Sequence, residues 1–281
     1  MRALKYSQHI LIIGSRSNLS RTIALLYSNV TLLSSSSLES LPLILKHHNK
    51  SIIVYNTSYK SNLLSDTASP RSFIDYSIGY LGFFAEICQI YSKYIDKVLF
   101  TSSSSIYGDT KNLSEGSFCY TGSLYSTLKY SSELFLKAFL KPSQIPLIIA
   151  RPFNIYDGYD DFSMINRIDQ SIHLKHTLTL LNHGRSIRDY ISVYDVAKIY
   201  LLLVFSDFTG IVNIGTGIGT STSQLLDMYK KYHNISFDLQ HVDRPEIEYS
   251  VADIALLKSL IGNFQFKNLE SFIASKQFSA S

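Results

Sequence analysis

Four short apolar runs constrain this chain most: His9-Ile-Leu-Ile-Ile13, Ser51-Ile-Ile-Val-Tyr55, Lys97-Val-Leu-Phe100 and Pro146-Leu-Ile-Ile-Ala150. Each is too short for a helix and apolar on both faces. Strands buried on both faces belong to a parallel sheet sandwiched between helices. Asn29–Leu33 and Ile211–Gly215 read as further strands. Helical spacing between them predicts helices over Arg21–Ser28, Ser37–His48, Pro70–Tyr94, Ser123–Phe139 and Val196–Phe205. The alternation from residue 9 to about 215 predicts an α/β, doubly wound parallel sheet.

Chemistry gathers where the third run ends. Lys97–Phe100 feeds into Thr101-Ser-Ser-Ser-Ser-Ile-Tyr107-Gly108-Asp109, polar side chains delivered to the rim of a sheet. Tyr125 and Lys129 then stand four residues apart in a predicted helix, on one face. A free phenol ionises near pH ~10, and a neighbouring ammonium is expected to pull that value down. A phenol so tuned can pass a proton to or from an alcohol or carbonyl oxygen, and a serine on the adjacent strand end can hydrogen-bond the same oxygen. The hydride partner must come from a cofactor, which implies a nicotinamide.

These motifs resemble the extended short-chain dehydrogenase/reductase family, the NAD-dependent epimerases, dehydratases and reductases of nucleotide sugars. In that family a strand ends in Ser-Ser-x-x-Val-Tyr-Gly and a Tyr-x-x-x-Lys helix follows. Aligned on Tyr107-Gly108, the family's catalytic Ser/Thr falls on Ser103, with Ser102 and Ser104 as neighbouring alternatives. Tyr125 and Lys129 take the other catalytic places, and both also touch the cofactor. Arg151-Pro-Phe-Asn154-Ile-Tyr156 is similar to Arg-Pro-x-Asn-Val-Tyr-Gly, which implies substrate contact at Asn154. Gly184-Arg-Ser-Ile-Arg188-Asp189-Tyr-Ile-Ser-Val-Tyr-Asp195-Val-Ala is similar to the family's Gly-x-x-x-Arg-Asp segment, which implies Arg188 at the nucleotide-sugar site. Asp195 is expected to cap the following helix. Arg244 matches a late Arg-Pro segment whose Arg pairs with the substrate diphosphate, and Ser104 is expected beside the sugar. The run Arg244-Pro-Glu-Ile-Glu-Tyr-Ser-Val-Ala-Asp253-Ile-Ala looks most like bacterial 4-keto-6-deoxysugar reductases such as CDP-paratose and CDP-abequose synthases.

The resemblance makes the sheet Rossmann-like and places a dinucleotide on Gly14-Ser-Arg16-Ser17-Asn18-Leu19-Ser20, a strand-turn-helix junction. Of the expected Gly-x-x-Gly-x-x-Gly only Gly14 is present; Ser17 and Ser20 occupy the other places. The second strand ends at Ser34 and not at an Asp or Glu that would bond a ribose hydroxyl. With Arg16 nearby, this favours NADP(H), with NAD(H) the alternative. Asn56, closing the Ser51–Tyr55 run, is a further expected cofactor contact. An element next to the adenine is shortened, and the long helix carries Gly79 where the family often has Asn.

The reading is therefore an NAD(P)-dependent oxidoreductase that reduces a 4-keto sugar, with Tyr125 as general acid. Its alternatives are an NAD-dependent 4-epimerase and a non-catalytic dinucleotide binder. Residues 1–154, completed by roughly 188–215, are expected to bind the dinucleotide; 155–187 and 216–281 form a smaller substrate lobe. A net charge of +4 over 281 residues, with no basic run, gives no nucleic-acid signal. No apolar run reaches ~18 residues, so no membrane partner is expected. The two cysteines, far apart, and the lack of a leader pattern place the chain in the cytoplasm. His47-His48 reads as a solvated helix end, with no metal expected. Family members often pair through the Tyr/Lys helix, which raises a homodimer.

Overall fold

The computed structural model describes residues 7–56, 69, 71, 80–109, 113–158 and 163–278. The apolar runs form strands: β1 His9–Ile13, β2 Val30–Leu33, β3 Ser51–Tyr55, β4 Ile95–Thr101 and β5 Leu147–Pro152. Helices α1 Asn18–Leu26, α2 Leu41–His48, α3 Phe83–Ile90 and α4 Leu124–Leu140 lie between them. Further along the chain come β6 Asn154–Tyr156, α5 Met164–Leu174, β7 Leu178–Leu181, β8 Ile187–Ser192, α6 Val193–Phe205 and β9 Gly210–Ile214. The remainder holds β10 Gly219–Ser221, α7 Thr222–His233, β11 Leu239–Val242, β12 Tyr249–Ser250, α8 Ala255–Ile261 and α9 Leu269–Ala274. No helix among the described residues is long and apolar enough to cross a membrane.

The main sheet runs β2-β1-β3-β4-β5-β9, every neighbour parallel. Strand periodicity sends alternate residues of β1 into two separate cores. Ile10 and Ile12 pack with Leu19 and Ile23 of α1 and Val196 of α6; Leu11 and Ile13 pack with Leu41 of α2, Phe84 of α3 and Leu136 of α4. Helices thus cover both faces, as the alternation of runs requires. Strand order reverses between β1 and β3, so a crevice opens beyond their C-terminal ends, where ligands bind in such sheets. Among the described strands none lies outboard of β2, which fits the shortened element next to the adenine.

A second sheet joins β10, β8 and β12, with β6 also paired to β8; β7 and β11 form a separate ribbon. Tyr156, Ile168, Leu180, Tyr190, Leu226, Tyr229 and Ile273 make its core. β8 sends Tyr190 into this core and Ile191 into the first, while β9 pairs into the main sheet and α6 packs on it. Ala252, Ile254 and Leu257 also pack into the first core.

Two local expectations change. Of the expected Pro70–Tyr94 helix, the described residues include the α-helix Phe83–Ile90; Phe73, Ile78 and Gly79 lie outside the described residues. α6 starts earlier than expected and is capped by Ser192, whose side chain accepts from the Tyr194 N–H. Asp195 is fully buried and takes the Lys267 backbone N–H instead, at 2.7 Å, fastening a distant segment. His48 is not simply solvated: it stacks on His9 with ring centroids 3.4 Å apart.

Candidate active site

Ser123 sets up the reactive helix. Its hydroxyl accepts from the Ser126 N–H while the Ser126 hydroxyl accepts from the Ser123 N–H, a reciprocal cap that fixes where α4 begins. Tyr125 then falls in the first turn, on the wall of a cavity of about 680 Å³, and Lys129 one turn later is buried behind it. The Ser103 hydroxyl hydrogen-bonds the Tyr125 phenol and also accepts from the Ser105 N–H at 3.2 Å. Lys129 Nζ donates to the Thr101 carbonyl at 2.9 Å and lies 5.9 Å from the centre of the Tyr125 ring. The fold thus brings Ser103, Tyr125 and Lys129 together.

Their electrostatics differ from expectation. Burial is the largest influence on the Tyr125 phenol and pushes its pKa up, opposed by the Ser103 hydrogen bond. Lys129 is shut off from solvent in the same way, and burial lowers its pKa to about 7, against a rise from the Glu133 carboxylate.

The cavity extends from the turn after β1 to the second sheet. Arg16, Ser17, Asn18, Leu19, Asn154 and Arg188 line it together with Tyr125. Gly14, at φ 110°, makes the turn that only glycine enters readily. Asn154 donates to the Asp189 carbonyl at 3.2 Å. Arg188 is ion-paired at 3.4 Å with Glu246, another lining residue. Ser104 is buried within the short turn Ser104–Tyr107. Ser34 caps the turn after β2, its hydroxyl accepting from the Ser36 N–H. Asn56 directs its amide onto Ser17 and Ser20. Arg244 is exposed, lies outside the cavity wall and meets Asn182 through its backbone.

Sequence reasoning missed Glu246, Tyr190 and Thr222 on the wall. Glu246 is two residues from Arg244, and the choice between them is made by how the chain turns into β12. Among the described residues, Ser102 and Ser105 carry buried hydroxyls with no hydrogen-bond partner, and neither lines the cavity. The uncapped start of α1, where the Ser17 side chain makes no capping bond, leaves first-turn N–H groups to an anion, and with the open crevice it fits a dinucleotide.

Residues 2–215 match the NAD dependent epimerase/dehydratase family. A UDP-glucose 4-epimerase of Mycoplasma genitalium is 28% identical over 80% of this chain and 74% of its own length. A putative UDP-glucose 4-epimerase of Methanocaldococcus jannaschii is 31% identical over 62% of this chain and 60% of its own. Among solved structures, a UDP-N-acetylglucosamine 4-epimerase of Methanobrevibacter ruminantium, in complex with UDP-N-acetylmuramic acid, superposes with TM-score 0.81 at 23% identity, over 95% of this chain and 96% of that one. A Thermus thermophilus UDP-glucose 4-epimerase complexed with NAD gives 0.80 at 18%, over 95% and 97%. The structural likenesses show the fold.

Proposed function

Because this chain belongs to the NAD dependent epimerase/dehydratase family, we propose that it is a nucleotide-sugar 4-epimerase using NAD. The carrying observation is Tyr125 on the cavity wall, bonded to Ser103 and backed by Lys129, between the β1 turn and Arg188. The relatives named above support the epimerase over the reductase that the late motif suggested. When bound, the cofactor would supply acceptance of the sugar C4 hydride and its return to the opposite face of the ring. Tyr125 accepts the proton of the C4 hydroxyl and gives it back to the same oxygen. Ser103 holds that oxygen, and Lys129 holds Tyr125 and the cofactor ribose. Gly14, Ser17, Asn18 and Leu19 face the cofactor. Arg188 takes the substrate diphosphate, exchanging Glu246 for it, and Asn154 and Ser104 border the sugar. Arg244 would have to swing inward to assist.

A second reading, a 4-keto-sugar reductase using NADPH, is favoured by one observation: Arg16 lines the cavity, and β2 ends at Ser34 with no carboxylate to repel a 2′-phosphate. The apolar side chains exposed on α3 and α4, Phe83, Ile90, Leu134 and Phe139, are proposed to carry a second copy of the chain, which light scattering tests. The deciding experiment incubates the protein with UDP-glucose or UDP-N-acetylglucosamine and follows the C4 epimer by NMR. Epimer without added reductant supports the epimerase. No epimer, with NADPH consumed by a nucleotide-linked 4-keto sugar, supports the reductase.

A further inference from the structure

The turn of a dinucleotide fold normally places glycine second, so the backbone can meet the pyrophosphate, and third, so helix can sit on strand. This chain has Ser17 and Ser20. Ser20 is completely buried, and a hydroxyl there needs a partner. Asn56 supplies it. Its own N–H is anchored on the Ile13 carbonyl at 2.8 Å, which holds it in the crevice between β1 and β3. From there its side-chain amide donates to Ser20 Oγ at 2.8 Å and to Ser17 Oγ at 3.0 Å. The residue is 6% exposed. One buried amide therefore braces both serines across to the neighbouring strand.

Two consequences concern a ligand. Ser17 accepts from Asn56 and makes no capping bond to α1, so the helix keeps its first-turn N–H groups for an anion. Ser17 lines the cavity, and with the amide donating to its oxygen the hydroxyl proton is available to an acceptor there. We propose that Asn56 is a positioning residue of the cofactor site, clamping Ser17 and Ser20 so that the Ser17 hydroxyl donates to the pyrophosphate of a dinucleotide. The serine turn is then a working substitute for the glycine turn. This rests on the cofactor reading above.

The clamp makes an unexpected demand: Ser17→Gly, which restores the usual glycine, weakens binding. NAD⁺ and NADPH are titrated calorimetrically into wild type, Asn56→Ala, Ser17→Gly and the triple Ser17→Gly/Ser20→Gly/Asn56→Ala, with UDP-glucose in parallel and a melting curve for each protein. Each single variant is expected to lose about tenfold in dinucleotide affinity, the order of one hydrogen bond to a charged group. UDP-glucose affinity should stay within about twofold, and the triple, which also lacks the Ser17 donor, should bind dinucleotide no more tightly than Ser17→Gly. Ser17→Gly binding as tightly as wild type overturns the inference, as does Asn56→Ala weakening both ligands alike. Should Asn56→Ala not fold, Ser17→Gly, which leaves the Asn56–Ser20 bond in place, carries the test. Wild type that binds neither dinucleotide refutes the cofactor reading itself, a pattern distinct from normal binding with indifferent variants.

Discussion

Arg151→Met tests the buried ion pair beneath α4. The Arg151 guanidinium grips Glu133 of α4 through two bonds, 3.0 and 2.7 Å, with side-chain exposures of 2% and 0%. Its remaining amine donates to the Tyr107 hydroxyl at 2.9 Å and the Glu115 carbonyl at 3.2 Å. Tyr107 in turn donates to Asn213 at 2.6 Å. Met fills similar space and leaves the Glu133 carboxylate buried without its cation. Breaking such a pair from one side costs about 3–5 kcal/mol. Unfolding entropy near 2.1 cal/mol/K per residue gives this chain about 0.6 kcal/mol/K, so Tm should fall by roughly 5–8 °C. The double variant Arg151→Met/Glu133→Leu removes both charges and should recover most of that, since apolar replacements of buried pairs are often neutral or better. Calorimetric melting of wild type, single and double decides. A single variant losing less than about 1 kcal/mol, or a double no better than the single, refutes the claim that an unpaired Glu133 charge is what costs.

Tyr125→Phe should lose about 10²–10⁴-fold in turnover with dinucleotide affinity nearly unchanged, read by steady-state kinetics and calorimetry. His9 gives the protein an acid limb. Burial, then His48 and His47, lower its pKa to about 4 from 6.5. The unfolded chain therefore takes up this proton first, and the stability is full above about pH 6.5 and lost as pH falls toward 4. Between pH 7 and 5 the loss is about 2 kcal/mol; urea melts of His9→Asn should show a flatter dependence. Asp189→Asn should cost about 1–3 kcal/mol in a thermal melt. The carboxylate accepts the N–H groups of Thr216, Gly217 and Ala252 and the Thr216 hydroxyl, and an amide would set a donor against them.

Strand and helix were legible because their signals are local. β1 and β3 begin and end where their apolar runs do, since a strand buried on both faces must be apolar throughout. Tyr125 and Lys129 are neighbours on α4 because helical geometry alone puts i and i+4 on one side. Ser103 followed from the distance to Tyr107-Gly108. The same local signals failed where position outweighed type. Asp195 looked like a cap, yet Ser192 caps the helix and Asp195 reaches a segment 72 residues on.

What the sequence alone determined is the parallel sheet, the meeting of Ser103, Tyr125 and Lys129, and the departure of the turn after β1 from glycine. The tertiary structure alone decided how those groups behave. Arg188 meets Glu246, 58 residues away; Asn56 meets Ser17 and Ser20, 39 and 36 away; Arg151 meets Glu133 across 18. Solvent exclusion is the largest influence on both Tyr125 and Lys129, pushing the phenol's pKa up and the ammonium's down, against Ser103 and Glu133 respectively. Burial and long-range pairing are properties of the packed chain, and no local pattern encodes which of several Arg, Glu or Asn residues the packing will bring face to face.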